Sequence, residues 1–148
     1  SRLLDPITYH RMQMWIAFQL NAQGTFYWAL GCGGGNGNSW QPYAQPHNEY
    51  SPYFVSPTSV MEAKNSEALR EGVQDYEYLV MLRQALTKTQ QSAAWQAQAR
   101  TLLEEGVQRV VASAQSTNLF WKVEKDRSVM DTARIAALHL LEEARHEK

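Results

Sequence analysis

The spacing of hydrophobic residues predicts a first helix from about Pro6 to Gln23. Asp5 suits its N-cap, Pro6 its first helical position, and Gly24 the residue just after its end. Apolar and aromatic side chains leave this helix little polar face, so we expect it to be buried on most sides. These side chains are Tyr9, Met12, Met14, Trp15, Ile16, Phe18 and Leu20.

A short apolar run, residues 25–30, follows this helix and is predicted to be a strand. It reads Thr-Phe-Tyr-Trp-Ala-Leu, and glycines bound it on both sides. A continuous apolar run of this length is typical of a strand buried on both faces, as in parallel sheets. Residues 31–58 show no periodic pattern and are predicted to be a long loop, a kind of segment that is usually functional or disordered.

Three further helices are predicted after this loop. The first begins at about Ser59, where Ser59 and Glu62 fit a capping box, although Ser66 is a second candidate start. The other two cover about 92–115 and about 128–146. The predicted fold class is therefore mainly α with a short β element, an α/β arrangement in its first part.

Composition divides the 148 residues into two unlike parts. The whole chain is 44% hydrophobic with a net charge of -1, which excludes a disordered tail and a strongly basic nucleic-acid binder. It has no apolar run of membrane-spanning length and a single cysteine, Cys32. Residues 1–60 carry only four charges but 11 of the 16 aromatic residues and all five prolines. Such a stretch indicates the wall of a binding cleft or a surface covered by more protein.

The densest group of charged residues lies on the helix after the long loop. Glu67, Arg70, Glu71 and Asp75 are spaced by three and four residues and so share one side of that helix. They fit a general acid and base, as in glycosidases, or an ion network in which Arg70 fixes the helix against its neighbours. Three acids around one arginine favour the network. Gly72 costs about 1 kcal/mol relative to alanine inside a helix, so we expect close packing there.

Signals for metals and cofactors are absent from the sequence. The glycine-rich stretch 31–37 lacks both a following Walker lysine and the G-x-G-x-x-G spacing, so its glycines are interpreted as turn residues. The four histidines are far apart and form no zinc motif. No cofactor and no metal are predicted.

Aromatic and amide side chains of the strand and loop are the better candidates for ligand binding. Aromatic faces suit the C–H faces of sugar rings, and asparagine amides supply neutral donors and acceptors for sugar hydroxyls. The alternative is that Tyr27 and Trp28 fill a core. The predicted sugar-binding residues are Tyr27, Trp28, Asn36, Asn38, Trp40 and Tyr43.

Residues 67–79, which read EALREGVQDYEYL, carry a resemblance to a known family. Together with the order of helix, aromatic strand, glycine-rich loop and helix, they resemble the C-terminal part of the DUF4091 domain, the glycoside hydrolase family 123-like catalytic domain. The resemblance implies the C-terminal segment of a (β/α)8 barrel, with 25–30 as the last barrel strand and helices after it. It also implies that the family's Asp-Glu pair lies upstream, so no catalytic residue is assigned to this chain.

The resemblance implies a function in carbohydrate binding. Residues 1–90 are expected to form the last helix–strand–loop–helix of the barrel, and 91–148 a helical segment packed with it as one unit. The expected partner is an oligosaccharide or glycan, with no nucleic acid or membrane, and self-association through exposed barrel surface is also expected. The alternative is a non-catalytic glycan-binding or helical protein-interaction module.

The chain starts at Ser1 without an initiator methionine or signal peptide, so it is expected to be a piece of a larger enzyme that is inactive alone. The compartment stays open, although the resemblance suggests export or the bacterial periplasm.

Overall fold

The computed structural model describes residues 7–25, 53–88, 91–114 and 127–146. These residues are mostly helical, which confirms the mainly α class, and they include a small two-stranded antiparallel sheet at a position other than that of the predicted short β element. The elements are α1 (Ile7–Gln19), β1 (Tyr53–Val55), β2 (Val60–Glu62), α2 (Lys64–Ala85), α3 (Ala93–Thr101), α4 (Val107–Ala114) and α5 (Arg127–His146). Of the predicted strand 25–30, Thr25 has no regular structure and the rest lies outside the described residues.

Helix α1 ends at Gln19, four residues before the predicted boundary. Asn21 takes the left-handed backbone conformation, with φ of 50°. Its N–H donates to the Phe18 carbonyl at 3.1 Å, and the Ala22 N–H donates to the Ala17 carbonyl at 2.9 Å. These two bonds form a Schellman motif, in which the left-handed residue is usually glycine and sometimes asparagine. The prediction that Gly24 ends this helix was wrong because the turn uses Asn21.

The small sheet is a hairpin that the sequence did not predict. Phe54 of β1 pairs with Met61 of β2. Strand β1 lies inside the segment 31–58, which was predicted to be a loop. Three-residue strands are too short to show an alternating pattern. The assignment of Ser59 as a helix cap was also wrong, since its hydroxyl lies 2.7 Å from the Ser56 hydroxyl in the turn of the hairpin.

Helix α2 begins at Lys64, between the two predicted starts. The Ser66 hydroxyl accepts a hydrogen bond from the Ala63 N–H at 3.1 Å and donates to the Ala63 carbonyl at 2.6 Å. Ser66 therefore caps the helix from within its first turn.

The helix predicted for 92–115 extends from Ala93 to Ala114 and contains one irregularity. Ser92 caps it, with its hydroxyl accepting from the Trp95 N–H at 3.2 Å. Residues Leu102–Gly106 form a π-helical segment between α3 and α4, which the sequence pattern did not indicate.

Helices α1, α2 and α5 run in the same direction. Along α1 and α2 the contacts advance together, from Arg11 beside Gly72 to Phe18 beside Arg83. Along α2 and α5 they advance from Glu71 with Arg127 to Gln74 with Arg134. The helical run 93–114 starts near the C-terminal end of α5, where the Trp95 indole donates to the Leu140 carbonyl, and it returns antiparallel.

One hydrophobic core joins residues from all five helices, so the parts before and after position 90 pack together. Residues 10–18 of α1 are buried or half-buried, as predicted, whereas Leu20, just after the end of the helix, is 70% exposed. The buried core residues are Met12, Trp15, Phe18, Leu79, Leu82, Trp95, Ala99, Leu102, Val107, Val110, Val111, Met130, Ala133, Ala137 and Leu140.

Candidate functional site

The predicted sugar-binding residues all lie outside the described residues. They are Tyr27, Trp28, Asn36, Asn38, Trp40 and Tyr43. Within the part of the chain that the structure describes, the most concentrated chemistry is a cluster of arginines and carboxylates where α1, α2 and α5 meet.

Arg11 and Asp75 form the centre of this cluster. The Arg11 Nε donates to Asp75 Oδ2 at 2.6 Å, and a second guanidinium nitrogen donates to Oδ1 at 3.2 Å. The Trp15 indole N–H also donates to Asp75 Oδ2, at 2.9 Å. Both charged residues are at most 2% exposed, so each depends on the other in place of water.

Two further carboxylates and a second arginine surround Arg11 on its outer side. Arg11 Nη1 donates to Asp131 and lies 3.6 Å from Glu71 Oε2. Arg127 contacts the same two acids, with Nη2 3.2 Å from Glu71 Oε2 and Nε 3.3 Å from Asp131 Oδ2. These outer groups are partly exposed, so the cluster extends from the interior to the surface.

Arg134 of α5 closes the cluster from the other side. Its Nη1 lies 3.2 Å from Asp75 Oδ1, and its Nη2 donates to Gln74 Oε1 at 2.9 Å. The guanidinium also stacks 5.4 Å from the centre of the Tyr78 ring. Three arginines thus face three carboxylates, and their formal charges balance.

The hydrogen bond between Arg11 and Asp131 favours the ionised forms of both groups. Burial lowers the pKa of Arg11, but its hydrogen bonds to Asp75 and Asp131 outweigh burial, so the net shift is upward. Burial raises the pKa of Asp131, but the Arg11 hydrogen bond reverses this and the net shift is downward. A general acid needs a carboxyl whose pKa is raised, so Asp131 is suited to an ion network.

The four charged residues singled out in the sequence form two pairs that make different contacts. Glu67 and Arg70 form an exposed ion pair of their own at 2.6 Å, and the Arg70 hydrogen bond lowers the pKa of Glu67. Glu71 and Asp75 instead bind Arg11. The helical spacing predicts Arg70 as the partner of these acids, whereas the buried centre is Arg11, 64 residues from Asp75.

A signal for Arg11 was present in the sequence. Arg11 is the only charged residue in Ile7–Gln19, a helix of largely apolar side chains. A charge on a buried helix needs a partner, and the acids of residues 67–75 were the candidates.

Gly72 brings α1 and α2 into close contact beside the cluster. A Cβ atom at this position would lie 2.7 Å from the Arg11 carbonyl oxygen and 3.0 Å from Met14 Cγ. The expectation of close packing at Gly72 is confirmed. The contact brings the Arg11 backbone against the helix that carries Asp75.

Buried polar residues also lie near the N-terminal ends of α1 and α2. His10 is 1% exposed, and burial together with the positive charge of Lys64 lowers its pKa from 6.5 to about 4. Asn65 is 0% exposed, and no described residue forms a hydrogen bond with either atom of its amide.

Neither a metal site nor a membrane segment is found in the described ranges. No group of three or more histidine, cysteine, aspartate or glutamate residues there is placed to hold a metal ion. No helix there has both the length and the apolar character needed to cross a membrane. Comparisons with protein-family models, curated proteins and solved structures gave no match.

Proposed function

We propose that the chain is the closing segment of a sugar-handling (β/α)8 barrel, and that it contributes aromatic binding surface while the catalytic acid pair lies elsewhere in the protein. The proposal starts from the resemblance of residues 67–79 and of the order of elements before them. The observation that carries it is the parallel packing of α1 and α2.

Two helices joined by a short turn pack antiparallel. Parallel neighbours need a segment that runs back along them, as in a (β/α)8 barrel, where a strand lies between successive helices. Arg11 beside Gly72 and Phe18 beside Arg83 make α1 and α2 parallel neighbours. The predicted strand 25–30 falls in the connection between them. The packing supports a helix–strand–helix unit.

The roles of the acids support a catalytic pair located elsewhere. Asp75 is held by Arg11, Arg134 and Trp15, and Glu71 by Arg11 and Arg127. Arginine and tryptophan donors already contact the oxygens of these carboxylates, as in a structural ion network. The cluster therefore fits a role in holding α1, α2 and α5 together.

The first experiment measures sugar binding by the isolated chain. Oligosaccharides with and without acetamido groups are titrated while tryptophan fluorescence is recorded. We expect a saturable change that Trp28→Ala removes and that Trp121→Phe, outside the predicted sugar-binding set, retains. Absence of any saturable change across the panel would contradict the proposal.

The second experiment measures hydrolysis. We expect no turnover of aryl glycosides by the chain alone, because the acid pair is assigned to another part of the protein. Robust turnover that Glu67→Gln or Glu71→Gln abolishes would contradict that assignment.

A helical protein-interaction module is the second candidate function, and exposed apolar side chains favour it. Leu20 is 70% exposed and Val73 is 47% exposed. Val73 lines a groove of about 260 Å³ together with Met14 and Tyr76. Size-exclusion chromatography at two concentrations separates the candidates: concentration-dependent association that Val73→Gln weakens, without any sugar response, would favour the interaction module.

A further inference from the structure

A surface cleft lies between the helical run 93–114 and α5. Its volume is about 500 Å³, and it opens to the outside of the molecule. It is separate from the Arg11–Asp75 cluster and from the predicted sugar-binding residues. The apolar side chains that line it are Ala97, Leu102, Ala136 and Leu140.

The two walls of this cleft are antiparallel and in a fixed register. The Trp95 indole N–H donates to the Leu140 carbonyl at 2.9 Å, and the Gln91 amide donates to the Ala144 carbonyl at 3.4 Å. Four residues forward along one wall thus correspond to four residues back along the other. Because an α-helix rises about 1.5 Å per residue, this register gives the level of each further residue along the cleft.

Arg109 and Glu143 line opposite ends of the cleft. In this register Glu143 is level with Ser92, where the helical run begins, and Arg109 is near the level of Arg127, where α5 begins. The backbones of Arg109 and Glu143 are therefore about 25 Å apart along the cleft. Both residues are exposed, and neither forms an ion pair or a hydrogen bond within residues 7–25, 53–88, 91–114 and 127–146. Each charge is available to a partner.

The exposed side chain of Ile135 lies at the middle of this face. In the same register, Ile135 is level with Arg100 of α3, about halfway between Ser92 and Arg109. It is 54% exposed and lies one helical turn before His139, which lines the cleft. An apolar centre with charged groups at its rim is the usual anatomy of a protein–protein interface.

We propose that this face binds a second copy of the chain across a two-fold axis. An axis that lies in the interface, midway between Arg109 and Glu143 and perpendicular to the line that joins them, exchanges the positions of these two residues. Each Arg109 guanidinium then meets Glu143 of the partner subunit, and an ion pair forms at each end of the interface. The axis passes near Ile135, so the exposed apolar centres of both copies are buried together.

Charge and size both favour a second copy as the occupant of this face. A partner needs an acid and a base about 25 Å apart in reversed order, and a second copy turned about the axis supplies them at that same spacing. Two adjacent helices form a face about 20 Å wide. The face therefore covers about 500 Å² on each copy, or about 1,000 Å² in total, which is the lower limit for a specific interface. We expect a weak, reversible dimer that is independent of sugar binding.

Sedimentation equilibrium of the full chain, from micromolar to millimolar concentration, measures the dimer. We expect Arg109→Glu and Glu143→Arg each to raise the dissociation constant at least about tenfold, because each change places like charges opposite one another at both ends of the interface. The double variant that carries both changes reverses the order of the charges, and we expect it to restore the wild-type dissociation constant. Circular dichroism shows whether each variant is folded.

Arg145→Glu and Glu77→Arg are the matched controls, because both residues are exposed and lie outside the cleft. We expect these two changes, and Val73→Gln in the groove between α1 and α2, to leave the dissociation constant unchanged. The proposal is overturned if the chain stays monomeric at millimolar concentration, if the double variant dimerises no better than the single variants, or if the controls weaken the dimer as much as the cleft variants.

Discussion

The Arg11 guanidinium and the Asp75 carboxylate form a buried ion pair that joins α1 to α2, with Nε 2.6 Å from Oδ2. Both side chains are at most 2% exposed. Because neither group reaches water, its charge is stabilised only by its protein partners, and for Asp75 these include Trp15 and Arg134. The loss of one partner would leave an uncompensated charge in the interior.

We therefore expect Asp75→Asn to lower the free energy of unfolding by about 3–5 kcal/mol. The substitution keeps the shape of the side chain but removes its charge, and its amide group would face the Arg11 or Trp15 donors. Urea denaturation followed by circular dichroism measures the loss. The control is Glu67→Gln in the exposed pair with Arg70, for which we expect a change of at most about 1 kcal/mol. Equal effects of the two variants would show that burial does not distinguish the pairs.

The sequence predicted the helices well and their contacts less well. Apolar residues that recur every three to four positions located the helices near residues 92–115 and 128–146, because the buried faces of these helices are long. Asn21, the hairpin at Phe54 and the π segment at Leu102 were missed. The turn depends on one residue, each strand of the hairpin has three and the π segment has five, lengths over which no periodicity develops.

For the candidate site, spacing identified acids on one helix but not the arginine that binds them. Glu67 and Arg70 are neighbours along α2 and pair with each other, whereas Asp75 pairs with Arg11, 64 residues away. Helical spacing reports only contacts within one helix. A contact between helices depends on their packing, which here is set by the close approach at Gly72.

Gly72→Ala is expected to destabilise the protein by about 1–3 kcal/mol. In an ordinary helix interior the same change stabilises by about 1 kcal/mol, so the sign of the effect tests the packing. The added Cβ would meet the Arg11 carbonyl oxygen at 2.7 Å, and backbone cannot rotate away as a side chain does. Thermal unfolding of the purified variant gives the sign.

Gly106→Ala serves as the matched control for Gly72→Ala. There the nearest atom to the added Cβ is Leu102 Cδ1, the end of a flexible side chain. We expect a smaller destabilisation than at Gly72. If Gly72→Ala is as stable as the wild type or more so, α1 and α2 do not pack through that glycine.

His10 is expected to make stability depend on pH between about 4 and 6.5. Its pKa is lowered to about 4 in the folded chain by burial and by Lys64, so the unfolded chain binds a proton that the folded chain excludes. The free energy of unfolding should therefore fall by about 3 kcal/mol as the pH drops from 6.5 to 4 and level off below that range.

Asp131 acts in a different window of pH. Its pKa is lowered below 3.8 in the folded chain. Its contribution to the free energy of unfolding is therefore present above pH 3.8 and is lost only as the pH falls further. Urea denaturation at several pH values, with His10→Gln as the comparison, separates the two groups. His10→Gln should flatten the dependence between 4 and 6.5 and leave the acidic loss unchanged. If His10→Gln keeps the full dependence of stability on pH between 4 and 6.5, His10 is not the source of that dependence.

Asn65→Leu is expected to raise the free energy of unfolding by about 1–3 kcal/mol. The Asn65 amide is fully buried, and no described residue forms a hydrogen bond with it, so the folded chain bears the cost of removing that amide from water. Leucine removes the polar atoms and favours the helix more strongly than asparagine. Gln74→Leu is the comparison, because the Gln74 amide oxygen accepts a hydrogen bond from Arg134 and its loss should destabilise. Thermal and urea unfolding of both variants decide the matter: a less stable Asn65→Leu protein would mean that the amide has a bonded partner in solution.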